Sequence, residues 1–450
     1  MKNNLKTIFL FSILLLGVNS RAQDVETSDL EKLEQRTQLL ENTVKTLQKF
    51  KISGYIQTQY QIAQPDAALS TNMKVGGVNE NLEKNYSRFG IRRGRIKFAY
   101  EEGIASGVFQ LDMTENGVAV KDAYLNIKDP WLKTNALRSG IFDRTFGYEI
   151  SYSSSRRESP ERSTVFQTLF PNERDLGAAL YLQADKTSPF NFLRLEAGIF
   201  AGNGIKPEMD NRIDFMGHLY ATNNIGKNAT YGIGVSYYNG GAIQASKNVY
   251  KMEGAAFVLN NDSAANFRKF AKREYIGFDG QFSITTPAGI TKLHAEYLFG
   301  QQPGSKASSK SPNTGILASV ITTMDPTIIA NDTYIRNFSG GYVMLTQDLG
   351  KLPFTAVFKY DWYDPNTKIS GKDIGQNDNG TGIADLLQTT FGFGALWKAN
   401  NNIRLTAYYE VNNYEDTDFL HTYTFKNDTK TIAANELKRN VFTLRLQYKF

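Results

Sequence analysis

The chain has 450 residues, with 51 lysines and arginines against 45 aspartates and glutamates, a formal charge of +6 that is too mild for a nucleic-acid binder. It has no cysteine, which excludes disulfides and attachment to lipid through a thiol. Its 24 tyrosines and 29 phenylalanines, with 37 glycines and only 12 prolines, lean toward aromatic-rich strands.

The N-terminus, MKNNLKTIFLFSILLLGVNSRAQ, sets Lys2 and Lys6 before an apolar run over 8–18, with Ser20 and Ala22 as the small residues of a cleavage site. That run is too short to span a bilayer, so 1–22 reads as a secretory signal peptide and the mature chain as starting near Gln23. No later window approaches the ~18 consecutive apolar residues of a membrane helix. The exported chain is then either soluble or a closed barrel, the other structure that satisfies its own backbone in lipid.

Within 23–50, residues 29–50 predict a helix with Asp29 near its start and a coiled-coil seam. Leu30, Thr37 and Val44 fall at heptad position a, Leu33, Leu40 and Leu47 at d, and Arg36 at g is placed to meet Glu41 at e of a neighbour. So thin a seam is marginal alone, which favours self-association over a helix lying on its own domain.

From Lys51 the period changes to 2. Ile52, Ile56, Tyr60 and Ile62 share one face, and Tyr55, Gln57, Gln59 and Gln61 the other. The last run repeats this, with Phe442, Leu444, Leu446, Tyr448 and Phe450 alternating with Thr443, Arg445, Gln447 and Lys449. Between them lie fourteen more such runs, near 88–101, 104–114, 118–128, 136–143, 175–185, 190–201, 212–222, 230–239, 274–284, 289–299, 334–347, 354–363, 388–398 and 402–412. Each approaches the ~10 residues of a tilted membrane strand. Short links (102–103, 286–287, 349–352, 400–401) alternate with long ones (65–87, 144–174, 240–273, 300–333, 364–387, 413–438), and 115–117 is a short link on the long side. Compact soluble domains rarely carry several structureless loops beyond ~15 residues, whereas outer-membrane barrels do. An even number of strands puts both ends, and so the coiled coil, on the periplasmic side.

Faces with Ile233, Val235 and Tyr237, or Leu405, Ala407, Tyr409 and Val411, hold no charge. Opposite faces hold Arg404 and Glu410, Lys292, His294 and Glu296, or Lys359 and Asp361. Apolar outside and charged inside predicts a water-filled lumen. The long link at 144–174 carries Arg144, Arg156, Arg157, Arg162 and Arg174 against Glu149, Glu158, Glu161 and Glu173, with Asp175 just beyond it. It is expected to fold into the barrel mouth and set what passes.

Segments RFGIRRGRIKFAYEEGIASGVFQLDM (88–113), VKDAYLNIK (120–128), LRSGIFDRTFGYE (137–149) and PERSTVFQTLFPNERDLGAAL (160–180) resemble the phosphate-selective porin O and P family, most strongly over 86–185. The resemblance implies a homotrimer of 16-stranded outer-membrane barrels in a Gram-negative bacterium, each narrowed by the loop after the fifth strand and lined with basic residues for anions. By motif the basic wall is Arg92, Arg93, Arg95 and Lys97 of RRGRIK, and the narrowing loop brings Arg144, Arg156, Arg157 and Arg162. Counted with Asp175, the loop has as many acids as arginines, a departure from a purely cationic eyelet. Glu158 and Glu161 facing Arg92, Arg93 and Arg95 are expected to set up a transverse field.

Arginine suits phosphate because its planar fork gives two donors to two oxygens and stays charged in a narrow pore. The bland alternative is that these charges keep the channel wet and pair with nearby carboxylates. Catalysis would need His218, His294 or His421 as a base; the first two face the lumen, the third lies in the last long loop, and none has a Ser or Asp in an obvious motif. The run KDIGQNDNG (372–380) lacks the terminal Glu and spacing of a calcium loop.

The sequence therefore predicts an all-β, 16-stranded antiparallel transmembrane barrel over 51–450, preceded by a periplasmic coiled coil at 23–50. It would work without cofactor or metal, with outer-membrane lipid, a second and third copy of itself and small anions including phosphate as its partners. It would pass small hydrophilic solutes by diffusion. A weakly selective general porin, and a receptor or structural barrel with a largely closed lumen, are the alternatives.

Overall fold

Where alternation is unbroken, the backbone is extended and paired. The computed structural model describes residues 29–69, 85–206, 210–244, 246–310, 332–425 and 428–450. The expected signal peptide, the side chain of Leu30, and most of links 65–87 and 300–333 lie outside these residues. The chain divides into two units at Phe50. In the first, helix α1 (Asp29–Gln48) carries the heptads, and Leu33, Leu40, Val44 and Leu47 are all exposed along it.

In the second unit the chain runs through β1 (Phe50–Ala63), β2 (Tyr86–Glu102), β3 (Ala105–Thr114), β4 (Gly117–Lys128), β5 (Ala136–Asp143) and, after helix α2 (Thr164–Leu169), β6 (Arg174–Gln183). It continues with β7 (Leu193–Phe200), β8 (Asp214–Ile225), β9 (Ala229–Ile243), β10 (Val249–Glu253), β11 (Ala256–Asn261), β12 (Phe270–Thr286) and β13 (Gly289–Gly304). The last strands are β14 (Thr333–Asp348), β15 (Phe354–Asp364), β16 (Gln388–Lys398), β17 (Ile403–Tyr414), β18 (Leu420–Phe425), β19 (Asp428–Ala433) and β20 (Val441–Lys449). β9 pairs directly with β12 and β17 with β20, so two hairpins, β10–β11 and β18–β19, stand outside the ring. The remaining strands form a closed 16-stranded antiparallel barrel, sealed where β1 pairs with β20 from Tyr55 opposite Lys449 to Ala63 opposite Val441. The ring matches the sixteen runs read from the sequence. The two hairpins lie in links expected to be structureless.

Outward positions are apolar and exposed, as with Ile56 and Ile62 of β1, Ile233 and Val235 of β9, and Leu446 and Tyr448 of β20. Alternate inward positions (Gln57, Gln59, Gln61, Arg445, Gln447) are buried. The barrel is not charged and wet throughout, however. Phe146, Val165, Phe166, Leu169 and Phe170 of the 144–174 link pack against the inward Met216, Tyr238, Tyr275, Leu298, Phe338 and Tyr342 as one buried apolar cluster. Rings meet edge to face there, Phe170 to Tyr275 at 5.7 Å and Tyr275 to Phe338 at 5.0 Å. This corrects the expectation of a uniformly water-filled lumen. One wall has aromatic residues on its inner face because a helix covers them.

At the long-loop end, a separate cluster joins Ile369, Ile374 and Leu386 to Ala434. Beside it the buried Arg336 donates to the buried Asp385 at 2.8 Å. These links form a packed layer of their own.

Candidate functional site

The 144–174 link contacts inward side chains on nearly opposite sides of the ring. On one side Thr145 donates to the Met216 carbonyl at 3.0 Å and the Gly147 N–H to Ser236 Oγ at 2.8 Å. Glu296 of β13 accepts from the N–H groups of Tyr148 and Glu149 at 3.0 and 2.9 Å. Gly147 has φ of +62°, and a Cβ there would sit 1.8 Å from the Glu296 carboxyl, so this position requires glycine. On the other side Ser154 Oγ lies 2.6 Å from Tyr55 Oη, and Arg445 donates to the Pro160 carbonyl at 2.7 Å. Between them Glu149 takes the Ser163 N–H at 3.0 Å and Lys359 at 2.9 Å, and Asp361 takes the Thr164 N–H at 3.0 Å, which fixes the start of α2.

Two carboxylates of the link organise the basic groups. Glu161 is bidentate with Arg92 at 2.7 Å for both bonds, and also accepts from Arg93 at 3.1 Å and Arg445 at 2.9 Å. Glu173 pairs with Arg162, with Lys121 at 2.6 Å and with Arg174 at 3.2 Å. Burial would push both acids up. Arg92, Arg93 and Arg445 outweigh it at Glu161, and Arg162, Lys121 and Arg174 at Glu173, so both sit well below the ordinary carboxylate range. Glu149 is also lowered, its burial outweighed by Lys359 and Arg157. Arg157 is buried and donates to the carbonyls of Ser159 and Pro160; that burial brings its guanidinium down to about 10.

Of the basic residues read from the sequence, Arg92, Arg93, Arg95 and Arg162 converge here. Strict alternation would put Arg92 opposite Arg93. Phe89 and Ile91 are exposed before this point and Phe98 after it, so the phase changes at Arg92–Arg93 and turns both inward. Arg95 pairs with Asp112 at 3.1 Å, and Lys97 lies half-buried below it. Arg144 is buried with Asp175 at 3.0 Å, away from this cluster, and Arg156 is exposed, its carbonyl taking a bond from Arg404 at 3.2 Å. Glu158 does not face Arg92, Arg93 or Arg95 as expected. It accepts from Tyr152 Oη at 2.9 Å and lies 3.6 Å from Lys292, because the chain turns between Arg157 and Glu161 and sends the two acids to different walls.

Sequence reading missed Lys121, Arg445 and Glu173 as members of the cluster. A register shift of β4 against Gln110–Leu111 of β3 leaves Lys121 as the extra residue, and Lys121 and Asp122 both turn inward. Arg445 is on the inner face that alternation predicts, with nothing in the sequence to bring it to Glu161.

A chamber of about 110 Å³ on one side of the cluster is lined by Arg92, Arg93, Arg95, Lys121, Arg162 and Lys310, against Asp112, Glu161 and Glu173. Another, of about 250 Å³, is lined by Arg95, Lys97, Arg138, Arg162, Arg174 and Lys449, against Asp122 and Asp143. Arg95 and Arg162 border both, and bases outnumber acids in each. A third chamber of about 700 Å³ is lined mostly by amides and hydroxyls, with Arg194 and His294.

His218 faces inward and pairs with Asp279 at 2.8 Å, His294 faces inward beneath Tyr148 and Tyr152, and His421 lies in β18. Among the described residues no three His, Cys, Asp or Glu side chains group closely enough to hold a metal ion.

Neither a family model nor a curated protein matches the sequence. Solved outer-membrane porins share its fold. The chain is similar to the anion-selective porin of Comamonas acidovorans (10% identity, TM-score 0.50, covering 89% of this chain and 99% of that one). It is similar to Salmonella typhi OmpF in complex with daunomycin (11%, 0.50, 89% and 97%) and to Pseudomonas putida OprB (9%, 0.52, 96% and 100%). At such identities the likeness is one of fold, and the fold is that of a porin barrel.

Proposed function

We propose that the chain is an outer-membrane porin of a Gram-negative bacterium, through which small hydrophilic solutes diffuse with a modest preference for anions such as phosphate. The observation that carries this reading is the excess of arginine and lysine over acids in the two chambers that flank the link across the lumen. Rings of such groups favour anions, and arginine adds bidentate geometry for oxyanions. The same fold serves an anion-selective porin in Comamonas acidovorans. The finer resemblance, to the phosphate-selective porins, rests on RRGRIK and the 144–174 link.

In this reading 1–22 is removed on export, the long-loop end faces outward, and the short-turn end and the coiled coil of 23–50 face the periplasm. The exposed seam of Leu33, Leu40, Val44 and Leu47 is closed by two further copies in a homotrimer, and the outer apolar band meets lipid. The chain acts as a channel and not as a catalyst.

Arg93 tests the basic wall. With Arg92, Arg93 and Arg445 around Glu161 the local balance is +2, and Arg93→Glu brings it to zero. The anion preference measured as a reversal potential in a planar bilayer should vanish or reverse; unchanged selectivity would remove these residues from the path. A receptor or structural barrel with a largely closed lumen is the second reading, and the apolar packing of α2 and the outer-loop core favour it.

A further inference from the structure

The third chamber differs from the other two in its chemistry. Its inward walls at the short-turn ends of β6, β8, β9 and β12 present Gln183, Thr222, Asn224, Thr230, Gln281 and Ser283. Apart from Arg194 and His294 its lining carries no ionisable group but Tyr148 and Tyr231, and it lacks the paired charges of the chambers near Glu161. Its volume, about 700 Å³, lies within the ~300–1,000 Å³ typical of small-molecule sites.

The recess is built into β9. Gly232 stands at an inward position, and a Cβ there would come within 2.5 Å of Gln281 Oε1, so the missing side chain makes room for the amide. The roof is aromatic. Tyr148 and Tyr152 stack at 5.1 Å, and His294 meets both edge to face at 5.2 and 5.7 Å. His294 is 6% exposed, and its Nδ1 has no hydrogen-bond partner among the described residues. Above this level, the bonds of Gly147 to Ser236 and of Tyr148 and Glu149 to Glu296 fasten the link to the wall.

We propose that this chamber is a binding subsite for an uncharged polyol, a sugar of one or two rings. A sugar hydroxyl both donates and accepts, and amides and hydroxyls answer both roles, whereas an ion would meet little compensating charge. The Tyr148 ring, part of the lining, offers a flat surface to the apolar face of a sugar ring. The lumen then has two unlike compartments, a basic one toward β1–β6 and an uncharged one toward β6–β13.

The test is equilibrium binding of maltose to the purified full-length protein in detergent, followed by saturation-transfer NMR, for the native chain, Asn224→Ala and Gln281→Leu. Asn224 is exposed at a strand end, so its replacement leaves the barrel intact. The native protein should give a saturable signal that inorganic phosphate does not displace. Each variant should weaken it about three- to ten-fold, the worth of one hydrogen bond. No saturable signal, a signal unchanged in both variants, or displacement by phosphate overturns the subsite. Because binding is read without current, a protein that binds maltose and conducts no ions would contradict the diffusion-pore reading and leave the subsite standing.

Discussion

Glu161 is the side chain on which most of the local electrostatics turns. It is shared by Arg92, Arg93 and Arg445, drawn from β2 and β20, so one carboxylate of the link holds two strands of the wall. Glu161→Gln removes the charge and leaves the buried Arg93 and Arg445 and the half-buried Arg92 without it. Breaking a buried pair costs about 3–5 kcal/mol, enough to lower the melting temperature measurably and to make single-channel current flicker as the link loosens. A variant with unchanged melting and quiet current would mean that the carboxylate is not an anchor. The same group fixes a pH dependence. The folded values of Glu161, Glu173 and Glu149 lie below the ~4.3 of an unperturbed glutamate, so their stabilisation is complete above that value and lost as pH falls through the depressed folded values. The difference in thermal stability between the native chain and Glu161→Gln should therefore be constant between about pH 8 and 5 and shrink only below about 4. A difference that changes near pH 6 would contradict this assignment. At this scale the sequence was legible in part. RRGRIK pointed to the right strand, but the pairing of Glu161 with Arg445 joins residues 284 apart, and no local pattern encodes it.

At the scale of elements, alternation was the reliable signal, because a strand with lipid on one side and lumen on the other must repeat every two residues. It failed where that contrast fails. β10, VYKME, and β18, LHTYTF, are shorter than a membrane strand and stand outside the ring, so a window of ~10 residues passes over them. Tyr238, Tyr275, Phe338 and Tyr342 gave no warning of a packed interior, since each stands on an inner face that it shares with polar residues such as Ser236, Asp279 and Arg336. The signal that could have revealed it is TVFQTLF, a helical apolar run inside an otherwise polar link; its Val165, Phe166 and Leu169 cover those rings. Helix α1 makes a separate prediction. Its seam is exposed along a helix too thin to persist alone, so in the proposed homotrimer deletion of 23–48 should loosen the assembly without preventing barrel closure. Native mass measurement should find trimers that dissociate at lower detergent or temperature. Trimers of unchanged resistance would assign the seam another role.

The barrel unit is a closed ring divided unevenly by one link. On one side the link is packed into an aromatic wall through Phe146, Phe166 and Phe170, and on the other it is held by charge through Glu161 and Glu173. In the proposed pore, solutes on the charged side would meet more bases than acids in both chambers, and this imbalance is the basis for expecting anions to be preferred. The near-equality of acids and bases over the chain keeps the expected preference modest, since most guanidiniums here are already paired with a carboxylate. The most direct test is the reversal potential of the purified protein in a planar bilayer under a KCl gradient, repeated with added phosphate. Stepwise openings with a reversal potential on the chloride side, and a current reduced by phosphate, are the predicted result; a potential on the potassium side, or no openings at all, would contradict it.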